Sequence, residues 1–265
     1  MGKRTRGAGL LALAVTIAAA LTALSATSAF ASAYSKFSEC PTSNPAVLSC
    51  LYAVTESGQF TVGSKTVPIK KPITLQGGLE LNEKGEITVV AAANGETLSK
   101  TPQTVPGGLI GIEGLGGEVT ATAELAGSAS NITLNSEALL SGKGTALSLP
   151  LKLKLGNPIL GNSCYGGSNA HPIVINLTTG TSGSATGKPG TVTASEEIIT
   201  ISNNSLVNNT FAAPGVEACG FPIPYLLDPL VDLAMGVPAG EGHNTAILNG
   251  TLNLASAAEV KAHLG

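Results

Sequence analysis

Apolar and polar residues alternate along much of the chain, and the alternation is clearest between Thr145 and Leu155. Every second residue from 147 to 155 is Leu, and Ser, Pro or Lys stands between. Successive side chains of an extended strand point to opposite faces, so this segment predicts a strand with one aliphatic and one polar face. Pro150 has no N–H to give to a ladder, which predicts an edge strand or a bulge at that point.

Shorter runs of β-forming residues follow one another with turn residues between them. Strands are predicted at residues 59–62, 66–69, 73–81, 86–92, 119–125, 131–135, 173–178, 191–194, 198–202 and 245–254. The connections are too short for crossover helices, so the fold class is all-β: an antiparallel β-sandwich or a partly open barrel. Residues 179–190, rich in Gly, Thr and Ser, are predicted to form a mobile surface loop.

A single short helix is predicted in the C-terminal half, within residues 222–236. Asp228 stands as the expected N-cap, Pro229 as the first helical residue and Gly236 as the end. We expect its apolar side to cover one open end or face of the sheets, with the carboxylates of Asp228 and Asp232 in solvent. Residues 101–117, rich in Pro and Gly, predict a long loop or a seam within the domain.

The N-terminus has the order of regions that is typical of a cleavable export signal. Lys3, Arg4 and Arg6 precede an uncharged apolar run, residues 10–24, which is followed by small residues. This run is shorter than the roughly 20 residues that a helix needs to cross a bilayer. We predict a signal peptide over residues 1–31 with cleavage after Ala31, or after Ala33 as the second choice, and a single β-rich domain over residues 32–265 that is not transmembrane after cleavage.

The four cysteines all lie in the predicted exported domain. An even number of cysteines in an oxidising compartment favours disulfides, and four cysteines allow three pairings. We favour Cys40 with Cys50 and Cys164 with Cys219, because the first two are close together around a turn-rich segment. No C-x-x-C pair or matching histidine indicates a metal site, and a bridged Cys164 would have no thiolate for catalysis.

The charge and aromatic composition argue against nucleic acid as a partner. Loss of the leader lowers the basic residues from 14 to 11 against 17 acidic residues, a formal net charge of −6, and every remaining basic residue is Lys. Without Arg, a basic patch or Trp, and with 3% aromatic residues, nucleic-acid binding is not expected.

No catalytic, cofactor-binding or metal-binding motif is present. The chain has no G-x-S-x-G, H-E-x-x-H, P-loop or dinucleotide motif. His171 and His243 are interpreted as loop residues, and Glu196 and Glu197 would point to opposite faces of a strand, which makes them a poor acid–base pair. We therefore predict no catalytic residues, no cofactor and no metal.

The stretch from Gly156 to Tyr165, with His171-Pro172-Ile173 and Asn176-Leu177-Thr178, resembles a group of secreted actinobacterial proteins that have no assigned activity. Ala218-Cys219-Gly220 and residues 242–246 fit the same group. The resemblance covers the C-terminal half, implies an extracellular or envelope-associated protein, and brings no catalytic residues with it.

The sequence leads to three hypotheses for the function. The first is a secreted or envelope-associated, non-enzymatic structural or binding protein, with an envelope component as partner. The alternative is a carrier of an apolar, lipid-like small molecule in a β-barrel cavity, because aliphatic residues are plentiful and charged residues make up only 12%. The third is a hydrolase of wall polymers or esters. The sequence leaves the oligomeric state open.

Overall fold

The structure is a computed structural model that describes residues 33–108, 117–220 and 223–264. The predicted signal peptide, with its cleavage site at Ala31, lies outside the described residues. Of the predicted seam over residues 101–117, residues 109–116 lie outside them too.

The described residues form sixteen strands, and every pairing between them is antiparallel. The first eight are β1 (Ser49–Val62), β2 (Lys65–Pro68), β3 (Ile73–Leu81), β4 (Ile87–Ala91), β5 (Gln103–Thr104), β6 (Thr120–Leu125), β7 (Thr133–Leu134) and β8 (Leu147–Gly156). The others are β9 (Tyr165–Gly166), β10 (Ile173–Leu177), β11 (Thr181–Ser182), β12 (Ala185–Thr186), β13 (Thr191–Ser195), β14 (Ile198–Asn208), β15 (Val216–Glu217) and β16 (Thr245–Ser256). The all-β, antiparallel prediction is confirmed.

Fourteen of these strands form one sheet in the order β13-β14-β16-β1-β3-β4-β7-β8-β6-β5, and β2, β9, β10 and β15 pair at its sides. The two halves of this path pack against each other: Leu51 of β1 and Leu252 of β16 face the same interior as Leu149 of β8 and Ala123 of β6. The arrangement is therefore sandwich-like. The path has two separate ends, β13 and β5, and does not close into a barrel.

Strand β8 carries the leucine alternation, and it is a central strand. Leu147, Leu149, Leu151 and Leu155 are buried as predicted, but β8 pairs with β6, β7, β9 and β10. The expectation of an edge strand at Pro150 is wrong, and so is the alternative of a bulge, because the pairing of β8 with β10 runs through Pro150 without a shift in register. On one side of β8, β7 stops opposite Ser148 and β6 begins opposite Leu151, so the missing N–H of Pro150 falls where two partner strands meet.

Within the described ranges three α-helices accompany the sheet, where the sequence predicted one: α1 (Ser136–Ser141), α2 (Pro224–Met235) and α3 (Ala257–Leu264). Helix α2 lies where the sequence predicts a helix, but Asp228 is not its cap. Pro224 is its first residue and Pro229 lies inside it, while Gly236 ends it in the left-handed conformation as predicted. The helix begins a full turn earlier because Pro224 also suits a first helical position.

The predicted mobile loop over residues 179–190 contains the β11–β12 hairpin instead. The Thr179 side chain is buried and its hydroxyl donates to the Leu139 carbonyl at 2.8 Å, and the Asn209 side chain accepts from Ser184 at 3.0 Å. These partners lie far away in sequence, so local composition does not reveal them.

Disulfides join Cys40 to Cys50 and Cys164 to Cys219, the pairing favoured by the sequence. The first bridge lies in a small cluster of buried residues next to α3, and the second lies in the main core beside α2.

Candidate functional site

The residues that could carry chemistry are scattered. His171 and His243 are exposed, as expected for loop residues. Within residues 33–108, 117–220 and 223–264, no three His, Cys, Asp or Glu side chains are grouped so that they could hold a metal ion. Each cysteine belongs to a disulfide.

Glu196 and Glu197 occupy a different position from the predicted one. They form the turn between β13 and β14, with φ of 52° and 60°, and do not lie on opposite faces of a strand. The carbonyl of Glu196 accepts a hydrogen bond from the Tyr34 hydroxyl at 2.6 Å. Burial, followed by the negative charges of Glu259, Glu197 and Glu196, raises the pKa of Tyr34. This contact ties the start of the described chain to the hairpin.

The interior holds two small apolar cavities between the halves of the sheet. One has a volume of about 70 Å³ and is lined mainly by side chains such as Leu51, Leu75 and Leu149. The other, about 40 Å³, lies between Phe60, Val119 and Met235. Binding pockets for drug-sized molecules are typically about 300–1,000 Å³, so both cavities are too small for a lipid chain without rearrangement.

The most unusual surface is the outer face of α2, defined here as Tyr225, Leu226, Pro229, Leu230 and Leu233. These positions recur at helical spacing, all five side chains are exposed, and none of them is charged. Leu230 is 62% exposed and Leu233 is 82% exposed. An amphipathic helix of a monomeric protein normally turns such a stripe toward the core. The outer face of α2 therefore requires a separate explanation.

The two acidic residues of α2 point inward, toward the protein. Asp228 accepts hydrogen bonds from the backbone N–H groups of Cys219, at 2.7 Å, and Ala218, at 3.2 Å. Asp232 accepts from the N–H of Val216 at 2.7 Å. A carboxylate that accepts backbone hydrogen bonds forms charge-assisted contacts, which are stronger than neutral ones. These contacts fix which side of α2 faces the sheet and turn the leucine side outward.

The segment that binds these carboxylates is itself firmly attached. β15 pairs with β9, and β9 pairs with β8 in the main sheet. Cys219 is bridged to Cys164, and the Gly220 N–H donates to the Leu160 carbonyl at 2.7 Å. The helix therefore rests on a support joined to the sheet by both hydrogen bonds and a covalent bond.

The C-terminal end of α2 is held by the turn between β1 and β2. The Ser64 N–H donates to the Met235 carbonyl at 2.7 Å, and the Ser64 hydroxyl donates to the Ala234 carbonyl at 3.2 Å. Gly63, with φ of 57°, lies so close to this end that a Cβ atom would collide with the Met235 carbonyl. The turn and the helix end therefore fit only with Gly at this position.

The side chain of Asn244 also holds the turn between β1 and β2. It is fully buried, and its Oδ1 accepts from the Gly63 N–H at 2.9 Å. Its Nδ2 donates to the carbonyls of Phe211, Ala239 and Gly240 at 2.9, 3.2 and 3.0 Å. One side chain therefore contacts four backbone groups of three separate segments, with the two hydrogens of Nδ2 shared among three carbonyls, a role that local sequence does not indicate.

Sequence reasoning located α2 but expected its leucines to cover the sheets. The signal that could have corrected this was the spacing: Asp228 and Asp232 share a side of the helix with Val231 and Met235, both of which are buried.

No model of a known protein family, no curated protein and no solved structure matches the chain. Among the described residues, no helix has the length and apolar character required to cross a bilayer.

Proposed function

We propose that this protein is an exported, non-enzymatic binding protein of the cell envelope, and that it attaches to its partner through the outer face of α2. The single observation that carries the proposal is this exposed apolar stripe on a helix whose acidic residues are all used for internal hydrogen bonds. Contiguous exposed apolar surface on a soluble domain marks an interaction site.

Export is supported by two independent features. The N-terminus has the charged, apolar and small-residue regions of a signal peptide. Two disulfides join all four cysteines, and disulfides persist mainly in oxidising compartments outside the cytosol. Both features are consistent with an extracellular or envelope location, and the implied resemblance to secreted actinobacterial proteins agrees with it.

The carrier and hydrolase functions have weaker support. A lipid carrier needs a cavity several times larger than 70 Å³. A hydrolase needs a nucleophile or acid–base pair in a cleft, whereas the Glu196–Glu197 pair forms an exposed turn. Both functions stay predictions from the sequence.

Cell fractionation of the producing host tests the proposal. Tagged wild-type protein is expected in the envelope fraction, and N-terminal sequencing is expected to begin at Ser32. The Leu230→Ser/Leu233→Ser variant is expected to move to the culture medium. The matched control is Leu81→Ser/Leu140→Ser, which changes two exposed leucines on β3 and α1 and should leave the protein in the envelope.

Two results would oppose the proposal. An unprocessed precursor in the cytoplasm would contradict export. Equal envelope retention of the wild type and the α2 variant would show that another surface makes the attachment.

A further inference from the structure

Among the exposed apolar side chains of the described structure, those of α2 form the longest stripe on one element. Tyr225, Leu226, Pro229, Leu230 and Leu233 follow one side of a helix of 12 residues. Ile223, immediately before the helix, is 44% exposed. The stripe is convex, because it is the outside of a helix that lies on the protein and not the wall of a groove.

We propose that the outer face of α2 inserts into the interfacial layer of a lipid bilayer, so that the protein is held peripherally on an uncharged membrane surface. This inference rests on the proposed function, because it names the partner of the same surface. The occupant is a bilayer of zwitterionic lipids.

The charge distribution on α2 favours a lipid environment. Its charged side chains, Asp228 and Asp232, are bound to backbone N–H groups on the side facing the protein. Inserting the outer face therefore removes no charged side chain of this helix from water, which would be the largest cost of insertion.

The shape of the stripe also suits an interface. Leu233 is 82% exposed and Leu230 is 62% exposed, so these two side chains project farthest from the protein. Helices that lie in a membrane interface bury their apolar face by about 5–10 Å into the boundary between headgroups and acyl chains. Tyr225, 72% exposed near the N-terminal end, has the amphipathic ring that is enriched at the headgroup level.

The area of the stripe argues against a second copy of this chain as the occupant. Five exposed side chains of this size offer on the order of 500 Å², which is the size of a large patch on a monomer. A stable protein–protein interface needs about 800 Å² from each partner. A bilayer accepts a small convex patch because its surface conforms to the inserted residues.

The absence of cations decides the lipid class. Helix α2 contains no Lys or Arg, and the chain without its leader has a formal net charge of −6. Helices that bind anionic lipids carry Lys or Arg on their polar face. We therefore expect binding to phosphatidylcholine vesicles that does not increase with anionic lipid and is insensitive to salt.

The chain contains no Trp, which makes a sharp test available. In Tyr225→Trp, the only indole reports from the outer face of α2, and in the control Leu140→Trp it reports from the exposed side of α1. Processed protein is mixed with phosphatidylcholine vesicles, and emission and flotation with the vesicles are measured. We expect a blue shift for Tyr225→Trp and none for Leu140→Trp.

Variants of the stripe complete the experiment. Leu230→Ser/Leu233→Ser is expected to lower the floated fraction at least tenfold, while Leu81→Ser/Leu140→Ser leaves it unchanged. Circular dichroism and disulfide content of each variant establish that it is folded. Salt at 0.5 M should leave the floated fraction unchanged.

Three results would overturn the lipid inference. The first is an unshifted emission of Tyr225→Trp with no flotation. The second is flotation that requires anionic lipid. The third is a dimer in sedimentation analysis that Leu230→Ser/Leu233→Ser abolishes, which would make a second copy the occupant.

Failure of this inference differs from failure of the proposed function. Envelope retention that depends on Leu230 and Leu233, without vesicle binding, would leave the proposed function standing and point to an envelope protein as partner. Vesicle binding with envelope retention that does not depend on these leucines would contradict the proposed function alone.

Discussion

The two longer helices in the described part of the chain differ in which of their side chains face solvent. Helix α3 buries its apolar residues Ala257 and Val260 against Tyr34 and Phe37. Helix α2 exposes its leucines and turns its two carboxylates inward. The comparison shows that an apolar stripe does not determine which side of a helix is buried when specific polar contacts lie on the other side.

The contacts explain the difference. On α3, a carboxylate oxygen of Glu259 lies 3.8 Å from His263 Nε2. The His263 ring stacks on the Tyr34 ring, with 4.4 Å between the ring centroids, so the polar residues of α3 lie beside its apolar contacts and do not compete with them. On α2, Asp228 and Asp232 accept hydrogen bonds from the backbone N–H groups of Val216, Ala218 and Cys219. An unsatisfied backbone group and an unpaired carboxylate both cost free energy when buried, so α2 keeps these contacts and exposes leucines instead.

The largest expected effect comes from removing the disulfide beside each helix. Cys164→Ala/Cys219→Ala is expected to lower the free energy of unfolding by about 4 kcal/mol, and Cys40→Ala/Cys50→Ala by about 3 kcal/mol. The Cys164–Cys219 bridge is expected to contribute more because it closes a loop of 55 residues, whereas the Cys40–Cys50 bridge closes a loop of 10. Urea denaturation measures both values. A larger loss for the shorter loop would contradict this account.

Removing one of the two carboxylates that hold α2 by hydrogen bonds should have the next largest effect. Asp228→Ala is expected to lower the free energy of unfolding by about 2–3 kcal/mol, because the N–H groups of Ala218 and Cys219 lose a charged acceptor. Glu259→Ala on α3 serves as the control and should cost less than about 1 kcal/mol, since its pairing with His263 is partly exposed. Equal losses for the two variants would show that Asp228 does not orient α2.

Truncating one apolar residue on each helix tests the opposite burial directly. Val260→Ala on α3 is expected to cost about 2 kcal/mol, because Val260 is buried. Leu233→Ala on α2 removes more carbon atoms but should change the free energy of unfolding by less than about 0.5 kcal/mol. Thermal and urea unfolding give both numbers. A large loss for Leu233→Ala would mean that the outer face of α2 is packed in the free protein.

The smallest expected effect is a pH dependence of the free energy of unfolding that arises from Tyr34, which packs beside α3. The pKa of Tyr34 is raised above its ordinary value of 10.0, first by burial and then by Glu259, Glu197 and Glu196. Folded protein thus holds this proton more tightly than unfolded protein, so the stabilisation is complete below pH 10 and is lost as pH rises through the folded-state pKa.

Urea midpoints between pH 8 and pH 11 measure this effect. In Tyr34→Phe the loss of stability above pH 10 should be shallower than in the wild type. The Tyr165 hydroxyl has a pKa that is also raised, so Tyr165→Phe is the matched variant away from α3. An unchanged slope in Tyr34→Phe would remove Tyr34 as the cause.

Much of the fold could be predicted because its information is local. The alternation in β8, the positions of β3, β10 and β16, and the existence of α2 follow from the spacing of apolar residues and turn residues. The disulfide pairing followed from the short separation of Cys40 and Cys50. The strands and the helix depend on residues a few positions apart, and the second disulfide followed by elimination once Cys40 was paired with Cys50.

Features that depend on distant partners were missed. Pro150 is acceptable in a central strand because β7 ends and β6 begins beside it, which no local pattern reveals. Asn244 contacts four backbone groups that come from three segments. Thr179 binds a carbonyl of α1, about 40 residues away in sequence.

The sequence by itself determined the secondary structure class, the four bridged cysteines and the presence of a leucine-rich helix, because hydrophobic period and residue type act over a few neighbouring positions. Only the tertiary structure decided the direction in which that helix faces. Its orientation depends on backbone N–H groups of the segment around Cys219 meeting Asp228 and Asp232. That segment is placed by its pairing with β9 and by the disulfide to Cys164, 55 residues away in sequence, which only the complete fold brings together.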